Sequence, residues 1–117
     1  MQVQSITKNV RMSAQKMREV VRQIQGLPAP EAVAVLSVVP RKGARFVAKT
    51  LVSAIANAED LKANNQKFSA LRTDRLVVKE AIAQTASTLK RFTPKARGSA
   101  GPILKRNCHI KIILSDE

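Results

Sequence analysis

Residues 77–114 read VVKEAIAQTASTLKRFTPKARGSAGPILKRNCHIKIIL, with a strand-like segment at each end and a basic middle. The first end, from Val77 to Ala83, is rich in aliphatic and β-branched residues, which favour strands. The second end alternates with the period of two of a half-buried strand, and its two sets of side chains are Ile110, Ile112, Leu114 and His109, Lys111, Ile113. The two ends are therefore predicted to be strands of one sheet.

The middle of this stretch is too basic to fold as a compact loop. No carboxylate occurs from residue 81 to residue 115, while seven basic residues lie there: Lys90, Arg91, Lys95, Arg97, Lys105, Arg106 and Lys111. Such a segment repels itself and is expected to hold one shape only against a polyanion. We interpret it as a β-hairpin arm of roughly 50 Å that binds nucleic acid. The alternative is a run of charges that simply faces solvent. The predicted strands on both sides and the absence of compensating acidic residues argue against this alternative.

Length and charge limit the class of protein. The chain has 117 residues, enough for one domain with one modest core, and a formal net charge of +13. This charge indicates an acidic partner, either nucleic acid or an anionic membrane surface. No apolar run approaches the roughly 20 residues of a spanning helix, and the first residues lack the apolar core of a signal peptide. We therefore expect no membrane partner. The single Cys108 suits a reducing compartment.

Three helices are predicted before the arm. The first runs from Ala14 to Gln25, with Ser13 as N-cap and Gly26 at its end. The second begins at residues 28–30 and stops at Pro40, and the third runs from Arg41 to about Lys62. A short strand is predicted from Gln2 to Lys8, and residues 68–75 are ambiguous.

The predicted fold class is α+β. Three helices pack on a small three-stranded antiparallel sheet, two strands of which extend as a long basic β-hairpin. We expect a single domain over residues 1–117. Its globular part covers about residues 1–80 and 109–117, and the arm covers about residues 81–108.

Motifs that could carry enzymatic chemistry are weak. Ser13 to Lys16 matches Ser-x-x-Lys, but its companion motifs are missing and a helix cap is the better account. Cys108 and His109 cannot complete a tetrahedral metal site. His109 is expected to pack or hydrogen-bond at the base of the hairpin, or to touch a phosphate. Phe92 could stack on an unpaired base or pack between the arm strands. We predict no enzyme, no cofactor and no metal.

Four segments resemble a known family in order along the chain. They are RMSAQKMR at residues 11–18, SAIANA at 53–58, TLKRFTPKARGSA at 88–100 and KRNCHI at 105–110. Together they are similar to large-subunit ribosomal protein number twenty-two, over nearly the whole chain. The resemblance implies an α+β domain near the peptide exit of the large subunit. It also implies a long hairpin threaded through rRNA that lines the exit tunnel.

The resemblance also implies roles for individual residues. His109 is added because it lies at the base of the hairpin, where it could touch a phosphate. The candidate rRNA-binding residues are then Arg11, Lys16, Arg18, Lys90, Arg91, Lys95, Arg97, Lys105, Arg106 and His109. The tip that faces the tunnel is expected at Arg97, Gly98 and Ser99. The implied partners are large-subunit rRNA, neighbouring large-subunit ribosomal proteins and the nascent polypeptide, with no homo-oligomer.

The sequence thus predicts a structural, rRNA-binding component of the large ribosomal subunit. We expect it in the cytoplasm on the ribosome, and an organellar ribosome remains an alternative. A second alternative is an architectural DNA-binding protein whose arm clasps a minor groove. Such a protein would normally be a dimer and would bind duplex DNA.

Overall fold

The computed structural model describes residues 1–116, which form five strands and three α-helices. In chain order these are β1 (Gln2–Val10), α1 (Ala14–Val21), α2 (Ala29–Val38), α3 (Lys42–Asn64), β2 (Val77–Thr85), β3 (Leu89–Pro94), β4 (Ala100–Lys105) and β5 (Cys108–Ser115). Short 3₁₀ turns lie at Gln66–Phe68, Thr73–Arg75 and Ala96–Gly98. The segment that was ambiguous in the sequence, residues 68–75, therefore belongs to neither a strand nor an α-helix.

The main sheet has three antiparallel strands in the order β1-β5-β2. In its centre, Ile112 of β5 pairs with Ser5 of β1 on one side and with Ala81 of β2 on the other. The predicted alternation of β5 is confirmed, because Ile110, Ile112 and Leu114 are fully buried. Their neighbours in sequence point to the opposite face of the sheet.

The hydrophobic core lies between one face of this sheet and the helices. α1 packs on β2, and α3 packs on β1 and β5. α2 packs against α3. Met17, Leu51 and Ile110 have no exposed surface, as expected at the centre of a close-packed core. The predicted α+β fold is confirmed.

The outer edge of β2 is covered by the segment that follows α1. Gln25 Nε2 donates to the carbonyl of Ala81 at 2.5 Å, and the Gly26 amide donates to the carbonyl of Val78 at 2.8 Å. Because a sheet edge with unpaired backbone groups invites pairing with other chains, this cover protects β2. The other edge strand, β1, is contacted by Asn57 of α3, whose Nδ2 lies 3.4 Å from the Gln4 carbonyl.

The ends of α1 agree only in part with prediction. The N-cap is confirmed, because Ser13 Oγ accepts a hydrogen bond from the Lys16 amide at 3.3 Å. The predicted end at Gln25 is wrong, since the α-helix stops at Val21. The next amides, of Gln23 and Ile24, bond three residues back, as in a 3₁₀ turn. The tighter turn delivers Gly26, with φ +82°, to the edge of β2.

β3 and β4 form a separate two-stranded ladder beyond the main sheet. They make the molecule long, with extents of 67 × 28 × 16 Å and a radius of gyration of 17.7 Å, against about 13 Å for a compact chain of this length. No apolar side chain between residues 84 and 107 is buried. We call residues 86–107 the arm. The prediction began the arm at about residue 81, whereas residues up to Thr85 pair with β5 and Ala83 is buried.

Candidate nucleic-acid interface

The arm presents its cations to solvent. Six basic side chains of residues 86–107 are exposed: Lys90, Arg91, Lys95, Arg97, Lys105 and Arg106. Among residues 1–116 none of the six forms an ion pair, and no carboxylate of the arm itself is available to pair with them. Unpaired Lys and Arg side chains on an extended ribbon are suited to phosphate groups, which they bind as point charges or as bidentate forks.

The two faces of the arm ladder differ in chemistry. Phe92 pairs with Pro102 and Lys90 with Leu104, so these four side chains share one face. That face is largely apolar, and Phe92 is 73% exposed, which excludes one of its two alternatives, packing between the arm strands. On the opposite face, Leu89 pairs with Lys105 and Arg91 pairs with Ile103. The arm therefore offers a flat apolar surface as well as charge.

The tip of the arm is a tight turn between Pro94 and Ala100. The Lys95 amide donates to the Ser99 carbonyl at 2.6 Å. Arg97 (φ +59°) and Gly98 (φ +73°) both adopt left-handed backbone conformations. That conformation is costly for a residue with a side chain and is found mostly at turns and functional sites. The turn leaves the Arg97 side chain in solvent at the extreme end of the molecule.

Lys95 lies differently from the other arm cations. A Cβ atom added to Gly101 would stand 2.5 Å from Lys95 Cε, so the aliphatic part of Lys95 crosses directly over this glycine. Gly101 is consequently buried even though the residues around it are exposed. The absence of a side chain at residue 101 lets Lys95 fold back and keeps the arm thin near its tip.

A cationic cleft lies where the arm meets the globular domain. We call it the junction cleft; its volume is about 540 Å³. Its lining comes from the loop after β1, α1, the start of α3 and the end of β4, namely Arg11, Met12, Ser13, Gln15, Lys16, Lys42, Leu104 and Arg106. A smaller depression of about 360 Å³ adjoins it and shares Ser13, Gln15 and Arg106, with Arg18 and Asn107 added. Five cations thus surround the first turn of α1.

The side chains of three predicted interface residues also make hydrogen bonds to residues far away in the sequence. Arg11 Nη1 donates to the Arg106 carbonyl at 2.8 Å. Arg18 Nε donates to the Ala83 carbonyl at 3.1 Å. His109 Nδ1 accepts from the Asn9 amide at 3.0 Å, beside the bulge where β1 shifts register. The expected hydrogen bond of His109 at the base of the hairpin is therefore present.

Sequence reasoning missed two residues of this region. Lys42 is one of several basic residues at the start of α3, and the structure brings it into the junction cleft with Arg106. Asn107 belongs to the KRNCHI segment but was assigned no role, and its Oδ1 is buried without a hydrogen-bond partner in the described residues. The cations at the start of α3 were a usable signal, since no acid stands in the first turn of that helix.

The end of the globular domain far from the arm is close to neutral. Residues 1–50 carry nine basic and two acidic side chains, whereas residues 51–80 carry five and four. A groove of about 450 Å³ at this end includes Asp60, Leu61 and Phe68 in its lining. Its carboxylate makes it a poor phosphate site. The cationic surface is therefore confined to the arm and to the half of the domain that holds the arm.

The described part of the chain brings no cluster of metal-ligating side chains together. Residues 1–116 contain no group of three His, Cys, Asp or Glu side chains that could hold a metal ion. Cys108 is fully buried, and burial raises the pKa of its thiol. Across the same residues, no helix has the length and apolar character needed to cross a membrane.

Comparison with known proteins identifies the family. The model of the family described as ribosomal protein L22p/L17e matches residues 5–115. The chain belongs to this family. It is a ribosomal protein of the large subunit and not an enzyme, which removes the DNA-clasping alternative. Its relatives named below are bacterial, and its place is the cytoplasm, on the ribosome.

Individual relatives cover the chain from end to end. It is 51% identical over 116 residues to the large ribosomal subunit protein uL22 of Opitutus terrae, covering 99% of this chain and 96% of the relative. The protein of the same name from Akkermansia muciniphila is 46% identical over 117 residues, covering 100% and 98%. That of Finegoldia magna is 42% identical over 116 residues, covering 99% and 97%. No part of the fold described above lies outside the similarity.

Proposed function

We propose that this protein binds large-subunit rRNA through the arm and the junction cleft. The observation that carries the proposal is the arm itself. It projects exposed, unpaired cations on a ribbon that contributes no buried apolar side chain. A segment that adds nothing to the core and repels itself has a reason to exist only if a polyanion neutralises it.

The residues that bind rRNA are those of the arm and the near half of the domain. Lys90, Arg91, Lys105 and Arg106 lie along the two limbs, while Lys95 and Arg97 lie at the tip. Arg11, Lys16 and Arg18 hold rRNA from the side of the globular domain, and the hydrogen bonds of Arg11 and Arg18 orient their guanidinium groups. His109 supports the β1 bulge and is at most a secondary contact. These contacts position the protein rather than read sequence.

The arm is also proposed to line the exit tunnel for nascent polypeptide. In this arrangement the globular domain lies near the peptide exit, beside neighbouring large-subunit proteins, and the hairpin threads through rRNA. Arg97, Gly98 and Ser99 form the tip that faces the tunnel. The narrow tip, in which Lys95 folds over Gly101, supports this because a tunnel wall requires a thin element. No homo-oligomer is part of the proposal.

Sedimentation tests the assignment. A cell lysate is run through a sucrose gradient after a high-salt wash, and this protein is followed by mass spectrometry. We expect it to stay stoichiometric with the large subunit, because many phosphate contacts and a threaded arm resist salt together. Release from the subunit at moderate salt, or migration with DNA, would contradict the proposal.

The tip is tested on the assembled ribosome. A photo-crosslinker placed at Ser99 should react with a stalled nascent polypeptide, and one placed at Ser53 on α3 should not. Crosslinks from residue 53 and none from residue 99 would contradict the proposal that the arm tip lines the tunnel.

A further inference from the structure

The arm leaves the globular domain through a break in its strands. β2 and β5 pair as far as Thr85 and Cys108, and the arm ladder starts at Leu89 and Lys105. Residues 86–88 on one limb therefore face residues 106 and 107 on the other. Unequal limbs of this kind form a bulge, which bends a ribbon locally. The backbone hydrogen bond found between the two ladders joins the Ala86 amide to the Asn107 carbonyl at 3.1 Å.

Few other contacts hold the angle of the arm. No apolar side chain of the arm is buried against the domain. From the domain side, Arg11 donates to the Arg106 carbonyl. Asn107 Oδ1 is buried at the break and has no donor among residues 1–116. Two hydrogen bonds, each of modest net strength and without buried apolar contacts, fix the angle of the arm only weakly.

The junction cleft spans the break. Arg11, Lys16 and Lys42 reach it from the globular domain, while Leu104 and Arg106 belong to the arm. The lining contains no carboxylate, and within residues 1–116 none of its four cations is ion-paired. Four like charges around one cleft repel each other across the break. A multiply charged anion between them would reverse that interaction and draw the two sides together.

The helices around the cleft indicate the same ligand. α1 and α3 both begin at the cleft, and neither has an acidic residue in its first turn. α2, which does not line the cleft, has Glu31 in its first turn. An acid there is the usual way to stabilise the positive end of a helix. Its absence only at the cleft suits helix ends that receive their negative charge from a ligand.

We propose that the junction cleft binds a segment of RNA backbone, and that this bound segment locks the arm at one angle to the globular domain. The inference rests on the proposed function, because it takes RNA as the ligand. It adds that phosphates at the base, bridging Lys42 and Arg106, set the direction of the whole arm. The free protein then samples a range of arm angles.

Distances between two spin labels test the lock in the full chain. The labels are placed on Ser53→Cys, in the exposed surface of α3, and on Ala100→Cys, near the tip. Cys108 has no exposed surface and stays unlabelled. Electron–electron double resonance should give a broad distance distribution for the free protein. Saturation with a short oligouridylate should narrow it, and an equally narrow distribution without RNA would overturn the inference.

Two matched double variants distinguish an effect of the cleft cations from a general effect of removing two positive charges. Lys42→Gln with Arg106→Gln should lose the narrowing at RNA concentrations that saturate binding. Lys62→Gln with Lys67→Gln removes the same charge from the neutral end of the domain and should keep it. Narrowing that survives in the cleft variant would refute the lock.

A second measurement separates this inference from the proposed function. The dependence of rRNA affinity on salt is measured for the cleft variant and for Lys90→Gln with Arg91→Gln. Suppose that the arm variant flattens the salt dependence while RNA still narrows the distance distribution of the cleft variant. RNA binding by the arm is then supported, and the lock is refuted. If neither variant changes the salt dependence, the proposed function fails and the lock fails with it.

Discussion

Replacing residues 86–107 by Asn-Gly should leave the globular domain folded and almost equally stable. Thr85 and Cys108 are paired across the antiparallel strands β2 and β5. Asn-Gly is the preferred two-residue connection for such a pair, because it adopts the type I′ turn. The change removes the whole arm and retains the main sheet and every buried apolar side chain.

Two effects of opposite sign determine how much this replacement changes the free energy of unfolding. Shortening the connection from about 22 residues to two lowers the entropy cost of closure by (3/2)RT ln 11, about 2 kcal/mol. Against this, the domain loses the hydrogen bond of Arg11 to the Arg106 carbonyl, of about 1 kcal/mol. We expect the free energy of unfolding to stay within about 2 kcal/mol of the full-length value.

Urea denaturation followed by circular dichroism measures both stability and cooperativity. The slope of the unfolding free energy with urea should be nearly unchanged, because it scales with the surface buried in the fold. A loss of more than about 4 kcal/mol, beyond both terms above, or a clear fall in the slope would refute the reasoning. Either result would mean that the arm is part of the folding unit. A full-length variant with Lys90→Gln and Arg91→Gln controls for the loss of charge.

Changes to single groups should separate binding from folding. Gln substitutions at four arm cations should flatten the salt dependence of rRNA affinity by up to about 0.9 in log–log slope per lost phosphate contact, as measured by fluorescence anisotropy; the four are Lys90, Arg91, Lys95 and Arg97. The control set carries the same four changes at the neutral end of the domain, at Lys62, Lys67, Arg72 and Arg75. Equal flattening by the control set would contradict the prediction. His109→Ala should lower the unfolding free energy by about 1 kcal/mol, because the Asn9 amide loses its acceptor. Weaker rRNA binding at full stability would instead place His109 in the interface. The N-terminal ammonium and the Arg72 amide hold the pKa of Asp116 below its usual value. That stabilisation is present above the ordinary carboxyl pKa and lost as pH falls through the lowered one, so Asp116→Asn should lower the melting temperature near neutral pH and not in acid. A difference that persists in acid would contradict this assignment.

Local signals in the sequence predicted most of the fold. The alternation of β5 and the Ser13 cap depend on neighbours within a few residues, and both are confirmed. The end of α1 was predicted wrongly because it depends on a distant residue. The Val78 carbonyl takes the amide of Gly26, and the chain leaves the α-helix early to reach it. Helical periodicity alone contains no information about that partner.

The arm was predictable from charge, but the junction cleft was not. The arm is one continuous stretch, and its basic composition is visible without any structure. The cleft instead joins Arg11, Lys42 and Arg106, which are far apart in the sequence. Only the packing of α1, α3 and β4 brings them together. The sequence resemblance named Arg11 and Arg106, while Lys42 required the structure.

The basic residues at the start of α3 do not favour helix stability. Arg41 and Lys42 stand at its N-terminus, where the macrodipole makes each cation unfavourable by about 0.3–1 kcal/mol. Arg41 offsets part of this through an ion pair with Glu19 at 3.4 Å, whereas Lys42 is not ion-paired in the described residues. A folding requirement would place an acid there, as it does at Glu31 of α2. The uncompensated Lys42 is therefore what the proposed rRNA contact predicts, because the partner would supply the negative charge that this end of α3 lacks.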